Sequence, residues 1–381
     1  MKRRGFLGAL GGCALGGGLA ARYLGGALSA QDAIDFAPPQ GEKQIGLAPA
    51  LHYEKQPGLK VVCKLCPREC RVADAERGYC GVRENRGGDY YTLVYGRTCS
   101  IHVDPIEKKP FFHVLPGAAA LSLATAGCNM ECRFCQNWEI SQFRPEQVPS
   151  VEAPPEGVLN AARQNQVPVI AYTYNEPTVF YEYLLAIARA TSARGLRNVV
   201  ISNGYIQERP LRELAPFLTA YKVDLKAFTE RFYAEQCSAT LAPVLDTLRT
   251  LKSLGLWTEI VVLVIPTLND DEDSNRAMFR WVMTNLGPDV PLHLGRFHST
   301  YKITNLPDTP VPTLERLHAI AKEEGLNYVY LGNVPGHAAE STYCPQCGTR
   351  VIERYGFVVN VMRLKNGHCP TCNLAIPGVW A

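Results

Sequence analysis

From Ala119 onward, short runs rich in β-branched and aromatic residues alternate with helix-length amphipathic segments. That alternation is the pattern of βαβ units, because parallel strands need a crossover connection and the crossover helix covers the sheet face. The expected strands are Ala119–Thr125, Pro168–Tyr174, Arg197–Ser202, Ala220–Leu225, Trp257–Ile265, Val290–Leu294 and Asn327–Leu331. Between them, the expected helix Thr178–Arg194 places Phe180, Leu184, Leu185 and Ile187 on one face, and Leu241–Leu254 does so with Leu245, Leu248 and Leu251. Six or more such units predict an α/β fold arranged as an open or closed barrel. A chain of 381 residues, 46% hydrophobic and 20% charged, can bury such a core and resembles neither a disordered tail nor a polytopic membrane protein. With 39 Lys and Arg against 36 Asp and Glu, nucleic acid is not an expected partner.

Different grammars flank the barrel, expected over 119–340. Residues 1–30 have a basic start, a Gly-rich weakly apolar stretch and a small-residue end, the layout of a targeting segment. Arg3 and Arg4 followed by Gly5, Phe6 and Leu7 look like a twin-arginine signal, with cleavage expected after Ser29, while Leu10 to Cys13 also resembles a lipid-attachment box. The alternative for this segment is a membrane-proximal helix or a tail. Residues 31–60 are expected to be a linker, 61–118 a turn-rich module with five of the 14 cysteines, and 341–381 a second short cysteine module.

Directly after the first strand comes Gly127-Cys128-Asn129-Met130-Glu131-Cys132-Arg133-Phe134-Cys135, a Cys-x3-Cys-x2-Cys loop. Three thiolates on one loop can hold three irons of a cubane and leave the fourth without a protein ligand. An open site is needed where a small molecule must chelate the metal, and catalytic loops gather at the carboxyl ends of parallel barrel strands. The alternative is a zinc knuckle or three free thiols, although structural zinc wants four closed ligands.

This triplet resembles the radical S-adenosylmethionine signature, which implies a partial (β/α)6-type radical SAM barrel with small Cys-rich modules at either end. The resemblance implies reductive cleavage of S-adenosylmethionine by a 4Fe–4S cluster, giving methionine and a 5′-deoxyadenosyl radical that abstracts hydrogen. Phe134 stands where the family packs against the adenine. The flanks, Cys135-Gln136-Asn137-Trp138 with Ile140-Ser141-Gln142 and the run Asp104 to Pro110, are similar to the radical enzyme of the AmmeMemoRadiSam system, itself close to pyruvate formate-lyase activating enzymes. Further implied contacts with the cosubstrate are Glu176 to the methionine ammonium, Ser202 and Asn203 to a ribose, Asp224 and Lys226 to the carboxylate end or a cation, and His293 to a ribose. Each has a structural alternative: a helix start at Glu176-Pro177, a salt bridge between Asp224 and Lys226, satisfied polar neighbours for His298 and Tyr301.

Cys344, Cys347, Cys369 and Cys372 form two Cys-x2-Cys knuckles, a tetrathiolate pattern for structural zinc or for iron. Cys63, Cys66, Cys70 and Cys80 offer four more sulfurs for zinc or iron, with Cys99, His102 or His113 able to replace one, and a disulfide reading open if the protein is exported. Cys237 reads as an isolated buried thiol.

The leading function is thus a radical enzyme using a low-potential electron donor on a small-molecule or protein substrate, with Memo and AMMECR1-like proteins as expected partners. A glycyl-radical activase is the alternative within that chemistry, and a non-enzymatic iron–sulfur or zinc scaffold the alternative outside it. S-adenosylmethionine and strong reductants are cytoplasmic supplies, which sets the export-like start against the chemistry. Export of the loaded protein, tethering at the membrane, or a cytoplasmic protein with a misread start are the three resolutions.

Overall fold

The computed structural model describes residues 45–381. The targeting reading falls outside them, and no helix among the described residues is long and apolar enough to cross a membrane. An eight-stranded sheet organises the chain: β1 (Ser100–Pro105), β2 (Ala119–Ala124), β3 (Val169–Tyr172), β4 (Arg197–Ser202), β5 (Ala220–Asp224), β6 (Trp257–Val264), β7 (Leu292–Arg296) and β8 (Val329–Gly332). Spatial order equals chain order, β2 to β8 run parallel, and β1 pairs antiparallel to β2. The sheet has no pairing between β1 and β8, so the expected barrel is present in its open form.

The strands form where expected because the runs are mostly buried on both faces, as a sheet covered by crossover helices requires. All four residues of β3 are buried, and five of the six in β4. Helices Tyr181–Ser192, Ala242–Ser253, Glu272–Leu286 and Val311–Glu323 cover the sheet with their apolar faces. Their ends follow local chemistry. Asp271 caps Glu272–Leu286 by accepting from Ser274 N at 2.8 Å, and Gly287 ends it with φ of +98°. Each Leu, Ile or Val so buried contributes roughly 1.5–3 kcal/mol.

Four expectations shift. Pro291 has no N–H to give to the ladder, so the seventh run starts pairing at Leu292 rather than Val290. Helix Thr178–Arg194 opens as a 3-10 turn, Pro177–Phe180, before the α-helix from Tyr181. The linker expected over 31–60 already carries strands Ala48–Pro49 and Tyr53–Gln56, because the polar, largely exposed Tyr53–Gln56 pairs antiparallel with Lys60–Cys63, which buries Val61 and Cys63. The module expected over 61–118 likewise gives β1 to the central sheet. At the C-terminus, strands Thr342–Tyr343, Arg350–Tyr355 and Val358–Met362 form a small antiparallel sheet that packs Val351, Ile352, Cys344 and Cys369 against Tyr328, Tyr330 and Phe112.

Candidate metal and cosubstrate site

The carboxyl ends of β2 to β8 surround a cavity of about 530 Å³ that Cys128, Cys132 and Cys135 all line. The triplet loop leaves β2 through Gly127, whose φ of +90° and close approach to Cys80 O leave no room for a side chain. It is pinned on both sides. Glu131 N donates to Cys237 O at 3.0 Å and Arg133 N to Gln236 O at 2.9 Å, both carbonyls at the end of helix Glu230–Cys237. Asn129 donates to Tyr205 O at 2.7 Å and accepts from Asn203 Nδ2 at 2.8 Å, tying the loop to the end of β4. Met130 N donates to Cys128 Sγ at 3.4 Å, and Ser141 Oγ lies 3.2 Å from Cys135 Sγ.

Cys237 is buried as expected but not isolated: its thiol hydrogen-bonds Cys132. Helix Glu230–Cys237 ends against the loop, which brings the two together. Cys237 is not part of the cavity wall, so it sits behind the triplet and only three sulfurs face the open space.

Glu176 lines the cavity just past β3 and is almost wholly buried. Its Oε1 accepts from Thr178 N at 2.9 Å, Thr178 Oγ1 at 2.7 Å and Ser202 Oγ at 2.8 Å, and its Oε2 accepts from Asn203 N at 2.8 Å. Burial raises its pKa against these donors. A carboxylate has about four lone-pair sites, so Oε2 keeps acceptor capacity toward the cavity. Ser202 does not: its hydroxyl serves Glu176 and accepts from Gly204 N at 3.0 Å, and it does not line the cavity. Ser202 thus ties the ends of β3 and β4 together. Asn203 stays at the wall, with Nδ2 toward Asn129 and, at 3.9 Å, toward Cys128 Sγ.

Asp224 and Lys226 meet at 2.9 Å, and a third residue joins them. Lys222, two positions back on the same face of β5, hydrogen-bonds the other Asp224 oxygen. Burial pushes the Asp224 carboxyl up, but the two ammoniums outweigh it and hold it at about 2. Burial lowers Lys222, while Asp224 and Cys132 raise Lys226 against its own burial. The group carries one net positive charge beside the triplet. His293 lines the cavity too, but its Nε2 is engaged with Glu259 Oε2 at 2.7 Å, and Glu259 is held by Phe112 N and His113 N. His293 is thus a satisfied core histidine on that edge, stacked on Tyr330 at 5.1 Å. Phe134 lines the cavity and packs on Phe232, 5.8 Å between centroids. His298 pairs with exposed Asp308, and Tyr301 stacks on Trp138, so both have structural partners.

Two groups were given no role in the sequence reading: Asp104, which binds the wall residues Lys108, Lys109 and Tyr174, and Asn175. Asp104 binds Lys108 at 2.8 Å and Lys109 at 2.5 Å and accepts from Tyr174 Oη; Lys109 is lowered to about 8 by burial, against Asp104. Asn175 lines the cavity with its Oδ1 buried and without a partner. Its signal was the Asn-Glu-Pro turn itself, which was read only for Glu176.

At the C-terminal module, the sulfurs of Cys344, Cys347, Cys369 and Cys372 all lie within 4.8 Å of one another, with Cys344 to Cys372 at 3.5 Å and Cys347 to Cys369 at 3.6 Å. Four sulfurs about 2.3 Å from one tetrahedral ion would stand roughly 3.8 Å apart, so the set fits a single metal ion. Cys347 Sγ lies 3.2 Å from Thr349 Oγ1, and its contacts with Thr349 bring the thiol down to about 6. Among the other expected donors, Cys99 Sγ faces Ala124 O at 3.6 Å, His102 packs on Tyr174, and His113 binds Pro377 O and Tyr330 Oη, both at 2.6 Å.

Residues 122–276 match the radical SAM superfamily. An uncharacterized Methanocaldococcus jannaschii protein is 45% identical over 325 residues, covering 85% of this chain and 97% of the relative. A second uncharacterized protein of that organism is 22% identical over 283 residues, 70% of this chain and 76% of its own. Among solved structures, a radical SAM methyltransferase from Sphaerobacter thermophilus aligns with a TM-score of 0.46 and 17% identity over 61% of this chain and 70% of that one. A domain of a pyruvate-formate lyase-activating enzyme from Bacteroides vulgatus aligns with a TM-score of 0.38 and 16% identity over 43% of this chain and 98% of that one.

Proposed function

Because this chain belongs to the radical SAM superfamily, we propose that it cleaves S-adenosylmethionine reductively at a 4Fe–4S cluster held by Cys128, Cys132 and Cys135. The observation that carries this reading is the cavity wall: three sulfurs face the space, and the fourth nearby sulfur, Cys237, stands behind them. The donor set fits the cluster, since three thiolates leave one iron for the cosubstrate. When bound, that cluster supplies the electron that splits the cosubstrate into methionine and a 5′-deoxyadenosyl radical for hydrogen abstraction.

The protein's own groups bind and orient. Glu176 Oε2 and the unpartnered Asn175 Oδ1 accept from the methionine ammonium, a charge-assisted contact about twice as strong as a neutral one. Lys222 and Lys226, with Asp224 between them, offer their net positive charge to the methionine carboxylate. Phe134 supplies an apolar wall for the adenine. Lys109, held between Asp104 and the Tyr174 ring at 4.5 Å, places a polar group where substrate enters. The substrate is a small molecule or a protein residue, the electron comes from a low-potential donor, and Memo and AMMECR1-like proteins are the proposed partners.

The test is anaerobic reconstitution with iron and sulfide, followed by dithionite and S-adenosylmethionine, with 5′-deoxyadenosine as readout. Replacing Cys128, Cys132 and Cys135 by Ala abolishes that product. Continued formation by the folded triple variant would place the chemistry elsewhere.

A further inference from the structure

We propose that Cys63, Cys66, Cys70 and Cys80 bind a second iron–sulfur cluster, a polynuclear one, next to the triplet loop. This rests on the tetrad's own geometry and not on the function proposed above. Cys70 Sγ accepts from Tyr79 N at 3.4 Å, as Cys128 Sγ in the triplet loop accepts from Met130 N at 3.4 Å. The backbone amides of Leu65, Arg68 and Val82 approach Cys63, Cys66 and Cys80.

Spacing then separates one ion from a cluster. Among the described residues, only the C-terminal set brings three or more sulfurs within 4.8 Å of one another. The Cys63 set is wider, as the triplet is, yet its six pairs all lie close enough to act on one another electrostatically. Four thiolates in a ring too wide for one tetrahedral ion are the ligand set of a 2Fe–2S or 4Fe–4S cluster.

Two buried donors point to an anionic occupant. Tyr90 Oη and Arg83 Nε are buried and have no hydrogen-bond partner. The Tyr90 hydroxyl lies between Gly78 and Cys70: a Cβ on Gly78 would meet Tyr90 Oη at 2.6 Å and Cys70 Sγ at 3.8 Å. Arg83 is otherwise engaged with Glu182 and Leu51 O, and its positive charge acts on the Cys63 and Cys80 thiols. An orphaned buried donor is destabilising, and cluster sulfurs offset that by accepting. The tetrad also abuts the triplet, since Cys80 O lies 2.8 Å from where a Gly127 side chain would begin.

The experiment uses the full chain with Cys128, Cys132 and Cys135 replaced by Ala, reconstituted anaerobically with iron and sulfide. That variant is expected to retain iron, about four per chain for a cubane or about two for the smaller cluster, and a reduced-state EPR signal that S-adenosylmethionine leaves unchanged. Adding Cys66→Ser and Cys80→Ser removes both. Tyr90→Phe keeps the iron and the fold but shifts the midpoint potential of that signal downward, because a hydrogen bond to sulfur is lost. A folded triple variant that carries zinc, or no metal, overturns the proposal, and so does iron that survives the Cys66 and Cys80 replacements. Loss of 5′-deoxyadenosine formation in the unmodified protein, with iron kept by the triple variant, would overturn the proposed function alone.

Discussion

Glu176 satisfies four protein donors with two oxygens and still faces the cavity. A carboxamide cannot do the same. In Glu176→Gln, either orientation of the amide sets an N–H against another donor, at Thr178 and Ser202 or at Asn203. The expected loss is about 1–3 kcal/mol of stability, read as a lower melting temperature, together with weaker S-adenosylmethionine binding by calorimetry; an unchanged melt would contradict the four-donor tie. Cys237→Ala separates two roles for the fourth sulfur. Behind the wall it packs, so the variant loses some stability but keeps 5′-deoxyadenosine formation. If the folded variant loses turnover instead, Cys237 is a ligand and the open position is gone. Such residue-level facts divide by range. Spacing within a loop made the three cysteine sets legible. The approach of Cys237 to Cys132 was not, because it depends on where a helix from between β5 and β6 comes to rest.

At the scale of elements, the site is a product of adjacent strand ends. Strands about 4.8 Å apart place residues of equal height against each other before any ligand arrives. Ser202 therefore bonds Glu176, and His293 bonds Glu259. The strands themselves were readable from their apolar runs, and the starting shift at β7 follows from Pro291. Lys222 was also readable in principle, since Lys222, Asp224 and Lys226 share a face at a period of two. A lysine inside a strand reads as solvent-facing until the sheet is known to curl around a cavity. The junction between β2 and its loop carries a testable strain. Gly127 has φ of +90°, and an added Cβ would meet Val82 Cγ1 at 2.6 Å and Cys80 O at 2.8 Å. Gly127→Ala is expected to cost at least about 1–3 kcal/mol from the backbone conformation alone. It also pushes the triplet loop from the Cys63 module, visible as lowered iron content after reconstitution. A variant that melts and loads iron like the parent would show that the loop is not seated there.

For the whole molecule, the C-terminal module joins the sheet through His113, and that joint makes stability depend on pH. His113 is buried between Pro377 O and Tyr330 Oη, and burial lowers its pKa from 6.5 to about 4, against the pull of Glu259. Above pH 6.5 it is neutral in both folded and unfolded chains, and its contribution to stability is complete. As the pH falls toward 4 the unfolded chain takes up the proton first, so that contribution is lost, roughly 3 kcal/mol for the full interval. Glu107 opposes this. Burial raises its pKa from 4.5 to about 6, against the Arg354 side chain, so the folded chain binds the proton first and gains stability as the pH falls from 6 to 4.5, by about 2 kcal/mol. The two nearly cancel, and the parent protein shows a flatter acid limb than either group alone dictates. His113→Gln removes the first effect, so its melting temperature relative to the parent rises steadily between pH 6.5 and 4.5 even if it starts lower. Glu107→Gln removes the second, and that variant loses melting temperature over the same window faster than the parent. Parallel pH profiles for the parent and the His113 variant would mean that the histidine is not held neutral in the fold.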